Sequence, residues 1–153
     1  MFKKISLIFV LALLLSSFFV KPVEARAIPV RVPADVEWVD SGIDVSAEEI
    51  FTIKAKGKAI TGPLNEYPGA ISGPEGQETI CYNGLIDGVY YECVLEEVPF
   101  GALIGRIGEY GSPFEIGDDT CFTADISDRL YLAVNDFVGT YGDNLAGFTV
   151  IFK

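Results

Sequence analysis

The fold is indicated most clearly by residues 129–144, whose sequence is Arg-Leu-Tyr-Leu-Ala-Val-Asn-Asp-Phe-Val-Gly-Thr-Tyr-Gly-Asp-Asn. Leu130, Leu132 and Val134 alternate with other residues, so one face of an extended segment is apolar. This alternation over a short run predicts a half-buried β-strand. Asn, Asp and Gly then crowd residues 135–144, a composition typical of a tight loop.

The same strand signal recurs along the chain after residue 34, and no convincing helix or internal repeat interrupts it. Clusters of Gly, Pro and Asp separate the apolar runs at short spacing. Strands are predicted around Val36 and Trp38 and over residues 51–55, 102–107, 120–124, 129–134 and 148–152. The chain is long enough for one such core. The pattern therefore predicts an all-β protein with a single β-sandwich.

The N-terminal 27 residues have the features of a signal peptide. Lys3 and Lys4 precede an apolar run over residues 5–20, and Ala25-Arg26-Ala27 has the small-x-small pattern of a cleavage site. The run is shorter than the roughly 20 residues that span a bilayer, which disfavours an uncleaved anchor. We expect residues 1–27 to be removed, leaving a domain over residues 28–153 that is secreted or periplasmic.

The chain is strongly acidic, with a formal net charge of -11. Loss of the signal peptide removes four basic residues and one acidic residue, so the charge of the mature chain becomes -14. Such a surface repels nucleic acid and anionic membranes and favours divalent cations. We therefore expect neither a nucleic-acid partner nor membrane insertion after signal cleavage.

Three cysteines lie in the exported part of the chain, where oxidation is permitted. Cys81 and Cys93 bracket two turn signals, Asn83-Gly84 and Asp87-Gly88, so a hairpin stapled by that pair is the favoured disulfide. Cys121 is expected to be a small buried apolar residue. No histidine is present to activate a nucleophilic thiol.

The loop after Val134 offers the hard oxygen donors that Ca²⁺ prefers. It resembles the calcium and sugar loop of the LecA (PA-IL-like) bacterial galactose-binding lectins, Asn-Asp-Val-Pro-Gly-Thr-Tyr-Gly-Asn-Asn, at seven of its ten positions. The resemblance extends over most of the mature chain, including residues 51–57, 73–76, 101–108 and 147–150. It implies a jelly-roll-like sandwich similar to galactose-binding domains.

The resemblance also implies which residues hold the ion and the sugar. Calcium ligands carried over from the family are Thr61, Asp136, Thr140, Asp143 and Asn144. Sugar contacts carried over are Asp136, Phe137, Thr140 and Asp143, because two sugar hydroxyls complete the coordination of the metal in that family. The implied partner is a glycan, with galactosides as candidates, and family members assemble into homo-oligomers.

Several features depart from the family pattern. The family uses His and Gln in its galactose pocket, whereas this chain has no histidine and Gln77 does not align. Thr61 replaces a pocket Tyr. A long cysteine-bearing insertion over residues 64–99 reads as an elaborated loop that lies either over the site or away from it.

The sequence leaves three candidate functions for this chain. The first is a calcium-dependent carbohydrate-binding module. The second is a structural or protein-interaction module in which calcium only stabilises the loop. The third, an enzyme, is disfavoured because no acidic residues form a recognisable acid/base pair; Asp118 and Asp119, for example, point to opposite faces of an extended chain. We therefore expect no catalytic activity.

Overall fold

A computed structural model describes residues 27–62 and 70–153, and within that part of the chain the backbone forms eleven strands and one short 3-10 helix. The strands are β1 (Pro29–Pro33), β2 (Val39–Val45), β3 (Ile50–Ile60), β4 (Ile71–Ser72), β5 (Gly84–Ile86), β6 (Val89–Tyr91), β7 (Leu103–Ile107), β8 (Phe114–Glu115), β9 (Asp119–Thr123), β10 (Asp128–Val134) and β11 (Leu145–Phe152). The 3-10 helix spans Tyr141–Asp143. The predicted signal peptide lies outside the described residues, apart from its last residue.

Two antiparallel sheets form the two layers of a sandwich. One sheet has the order β1-β11-β3-β4, with β9 also paired to β3. The other has the order β2-β10-β7-β8. Strands β5 and β6 form a separate two-stranded hairpin. The predicted all-β sandwich is therefore confirmed.

The core lies between the inner faces of the two sheets. Leu130, Leu132 and Val134 on β10 are fully buried, as the alternation predicts. Phe148 and Val150 on β11 are also fully buried and come from the facing sheet. Burying each side chain of this size stabilises the folded state by about 1.5–3 kcal/mol, so the interface between the sheets is the main source of stability.

No helix in the described ranges is long and apolar enough to cross a membrane.

Two sequence-based expectations were wrong. The strand predicted around Val36 and Trp38 begins only at Val39, because a turn at 34–35 delays it. Trp38 instead lies under the Arg106 guanidinium, 4.2 Å from the ring centroid. Cys121 is exposed rather than buried, because the alternation of β9 directs Phe122 toward the core and Cys121 away from it.

The insertion contains the predicted stapled hairpin. Cys81 and Cys93 form a disulfide, with Cα atoms 6.0 Å apart. Asp87 and Gly88 both have positive φ and connect β5 to β6, the backbone that a tight two-residue hairpin turn requires. The turn predicted at Asn83-Gly84 is not formed, and Gly84 instead begins β5. The Asn83 side chain accepts the Cys93 N–H at 2.7 Å, which holds the chain extended there.

Candidate functional site

The loop over residues 135–144 crosses from one sheet to the other at one end of the sandwich. It leaves β10 in the four-stranded sheet and enters β11 in the five-stranded sheet. Gly139 supplies the positive φ of its turn. The buried Tyr141 hydroxyl donates to the Val134 carbonyl at 3.0 Å and so ties the loop back to the end of β10. The loop is therefore fixed at both ends and in its middle.

Asp136 is the buried carboxylate of this loop, with only 6% of its surface exposed. Its Oδ1 accepts the Phe137 N–H at 2.7 Å, and its Oδ2 accepts the Asn144 side-chain N–H at 2.8 Å. All the ion pairs among residues 27–62 and 70–153 lie elsewhere, at Lys54 and Arg129. The negative charge of Asp136 thus has only neutral donors around it.

The pKa of Asp136 is raised above its ordinary value, chiefly because burial disfavours the charged carboxylate. Hydrogen bonds from the Asn144 side chain and the Phe137 N–H oppose this shift, as does the nearby Thr140 hydroxyl, while the charge of Asp143 adds to it. The charge of Asp143 therefore acts on Asp136 within the loop. A divalent cation beside Asp136 and Asp143 would offset the cost of burying the Asp136 charge and the repulsion between the two carboxylates.

Asn144 connects the loop to two other segments of the chain. It is 2% exposed, and its side-chain Nδ2 donates to both Asp136 and the Ala34 carbonyl, the latter at 3.0 Å. Its Oδ1 accepts the Gly62 N–H at 3.0 Å. Thr61 is thereby brought to the loop, although it lies at the end of a distant strand.

The remaining predicted ligands lie on the outer side of the loop. The Thr140 hydroxyl donates to the Phe137 carbonyl at 2.9 Å and lies close enough to Asp136 to lower its pKa. Asp143 is exposed at the end of the 3-10 helix. The structure thus gathers Thr61, Asp136, Thr140, Asp143 and Asn144 around one loop, with Asp136 and Asn144 inside and Asp143 at the rim.

Phe137 points toward the insertion. Its ring centroid lies 5.0 Å from that of Tyr91 and 4.9 Å from that of Phe100. Backbone hydrogen bonds from Val94 to the Asp136 carbonyl and from Val138 to the Glu92 carbonyl continue this contact. The described part of the insertion therefore docks on the Phe137 side of the loop, and Asp143 remains exposed.

Two residues of this region have roles that the sequence did not reveal. Asn135 is fully buried, and its side-chain Nδ2 donates to the carbonyls of Leu95, Val98 and Pro99, while its Oδ1 accepts the Leu95 N–H. It fastens the insertion to the end of β10. Gln77 donates to the Thr61 hydroxyl at 2.8 Å. Both contacts join segments far apart in sequence, so local patterns contain no signal for them.

The donor set agrees with calcium chemistry but not with softer metals. No group of three or more His, Cys, Asp or Glu side chains suited to a metal ion is found in the described ranges. The loop instead combines two carboxylates with hydroxyl, amide and backbone oxygens. Ca²⁺ accepts such mixed oxygen ligands, whereas Zn²⁺ prefers Cys and His.

Comparisons with known proteins show a likeness to solved structures. No protein-family model and no curated protein matches this chain. Among solved structures, the N-terminal domain of EclA, described as a PllA-like lectin, has a TM-score of 0.61 to this chain at 24% sequence identity. The likeness covers 82% of this chain and 95% of that domain. At this identity the match shows that the two chains share a β-sandwich fold.

Proposed function

We propose that this chain is a calcium-dependent carbohydrate-binding module. Asp136, Thr140, Asp143 and Asn144, with the backbone of Thr61, hold a calcium ion at the end of the sandwich. Two neighbouring hydroxyls of a glycan complete the coordination of the ion, and Asp136 and Asp143 accept hydrogen bonds from them. Galactosides are the first candidates because of the resemblance of the loop to the galactose-binding lectins.

The single observation that carries this proposal is the buried Asp136 carboxylate, which makes no ion pair with a described residue. Burial of an ionised carboxylate is costly unless a positive charge compensates it. The second carboxylate, Asp143, increases the local negative charge and is exposed to solvent at the rim of the loop, which supports its proposed role as a sugar contact. The fold likeness to a PllA-like lectin domain supports the same class of function.

The calcium part of the proposal is tested by calorimetric titration of calcium into the chelator-treated protein. Asp136→Asn removes the buried charge while keeping the size of the side chain, and we expect it to weaken calcium binding by more than about 100-fold, since even outer-shell changes at metal sites cost 10- to 100-fold. Asp118→Asn is the matched control because Asp118 is an exposed carboxylate outside the loop. Equal calcium affinity in all three proteins would refute the assignment.

An alternative is a calcium-stabilised protein-interaction module without sugar binding. The hairpin supports it, because five large apolar or aromatic residues of the insertion are substantially exposed: Tyr82, Leu85, Ile86, Val89 and Tyr90. In this case calcium raises the melting temperature through binding to the folded state alone. A calcium-dependent melting temperature together with no glycan ligand would select this alternative.

We also propose that the protein is exported. The disulfide between Cys81 and Cys93 supports this location, because such bonds persist in oxidising compartments. N-terminal sequencing of the protein recovered outside the cytoplasm tests the cleavage site. A mature chain that begins at Ile28 is expected, and an intact Met1 on the exported protein would contradict the proposal.

A further inference from the structure

A concave cavity lies at the end of the sandwich opposite to the loop over residues 135–144, the proposed calcium loop. Strand β10 runs from Asp128 to Val134, and the loop follows Val134. The antiparallel strand β7 ends at Ile107, beside the start of β10. A cavity of about 450 Å³ opens at that end, between the segment after β7 and the segment after β9. Its volume lies in the range of small-molecule sites, about 300–1,000 Å³.

The wall of the cavity is aromatic and comes from both sheets. Phe114 on β8 and Phe122 on β9 stack in parallel, with centroids 4.4 Å apart and an angle of 6° between the rings. Both rings are half-buried and pack against the core, which fixes their positions. Ile107 and Ile126 extend the apolar lining. The wall therefore offers a rigid apolar surface to a ligand.

Polar groups line the same cavity without internal partners. Ser112, Thr123 and Asp125 are exposed members of its lining. None of the side-chain hydrogen bonds among the described residues uses them; the hydroxyls that do bond in this region belong to Thr120 and Ser127. Two hydroxyls and one carboxylate are thus free to bind a ligand. No Lys or Arg lines the cavity, so nothing in it attracts an anion.

We propose that this cavity is a second binding site and that its ligand is a neutral pyranose ring. A pyranose has an apolar C–H face, which packs against aromatic walls, and hydroxyls, which donate to a carboxylate and exchange hydrogen bonds with Ser and Thr. The cavity supplies these complementary groups in one place. With only one carboxylate, Asp125, the site does not use calcium. Sugar binding here is therefore insensitive to chelators, unlike binding at the calcium loop.

The test is saturation-transfer NMR on the purified protein in EDTA, with methyl pyranosides of galactose, glucose and mannose as probes. We expect saturation transfer from the protein to at least one of these sugars. Asp125→Ala removes the charged acceptor and is expected to weaken binding by roughly tenfold or more, as loss of a hydrogen bond to a charged group does. Ser112→Phe fills the cavity and is expected to abolish transfer. Asp118→Ala is the matched control and is expected to leave transfer unchanged.

Two outcomes would overturn the proposal. One is the absence of transfer to every pyranoside in EDTA from a protein with a normal unfolding transition. The other is transfer that persists in both Asp125→Ala and Ser112→Phe, which would place the sugar elsewhere. Asp136→Asn distinguishes the two proposed sites. It should remove calcium-dependent sugar binding and leave the saturation transfer in EDTA unchanged, so that either proposal can be refuted while the other stands.

Discussion

At the scale of single residues, Asp136 is the group on which most of the chemistry depends. It is a buried carboxylate surrounded by neutral donors, and its pKa is raised by burial. The folded protein therefore retains the Asp136 proton at a higher pH than the unfolded chain does. At the proposed calcium site the ion would compete with that proton, since only the ionised carboxylate is a ligand.

This raised pKa sets the pH dependence of stability in the calcium-free protein. Stability contributed by Asp136 is fully present when the group is protonated in both states, and it falls as pH rises from the ordinary carboxyl pKa to the raised pKa. In EDTA, Asp136→Asn should lose this dependence and gain stability relative to the original protein as pH rises through that window. Urea unfolding between about pH 4 and pH 8 checks it. A parallel pH profile for both proteins would contradict the prediction.

Asn135 should matter for stability rather than for calcium. Asn135→Ala leaves the part-buried Leu95 N–H and three part-buried carbonyls without their partner, so we expect a loss of about 3 kcal/mol in the free energy of unfolding. Urea unfolding in excess calcium measures it, with Asp118→Ala as a surface control. A change below about 0.5 kcal/mol, the usual size for a surface substitution, would show that the insertion is not fastened by this side chain.

At the scale of elements, alternation predicted most of the sheets. The apolar runs that became β3, β7, β9, β10 and β11 lie between turn clusters, and the structure has strands where these runs predicted them. Strand β1 was missed because its sequence, Pro-Val-Arg-Val-Pro, has prolines at both ends, a composition typical of a turn or an edge strand. It lies at the edge of its sheet, where only β11 pairs with it. Strand β2 was misplaced because Asp40, Ser41 and Gly42 weaken its pattern.

The disulfide should stabilise the hairpin that docks on the loop. A Cys81→Ala/Cys93→Ala double variant releases a closed loop whose ends are 12 residues apart. The loop-closure entropy of such a bridge is about 3 kcal/mol, so we expect a loss of that size on urea unfolding. Cys121→Ala is the matched control, because Cys121 is a free exposed cysteine. Equal stability of the double variant and the control would contradict the prediction.

Gly147 should be intolerant of any side chain. It lies on β11 with a φ of 138°, and a Cβ there would overlap the Val32 carbonyl oxygen and approach the Pro33 Cα to 2.9 Å. Backbone atoms of β1 cannot move aside as a flexible side chain does. Gly147→Ala should therefore lower stability by about 3 kcal/mol or more, through clash and strain together. Gly142→Ala, where a Cβ meets open space, is the control in the same unfolding assay.

At the scale of the whole molecule, the sandwich is a frame that carries the two proposed binding sites at its opposite ends. Strand patterns in the sequence were sufficient to predict two packed sheets. The ligands that the resemblance of the loop implies stay a prediction. The docking of the insertion on Phe137 was not predictable, because contacts between residues 91 and 137 depend on three-dimensional packing rather than on local sequence. The cavity lined by Phe114 and Phe122 was not predictable for the same reason.

The most direct measurement of the central claim is a broad glycan array probed with the mature protein in parallel calcium and EDTA series. We expect binding to one class of glycan. This binding should require calcium, disappear in Asp136→Asn and persist in Asp118→Asn. Any chelator-resistant signal should depend on Asp125 instead. Glycan binding that is indifferent both to calcium and to Asp136, or no binding by the folded protein, would contradict a calcium-dependent sugar site at this loop.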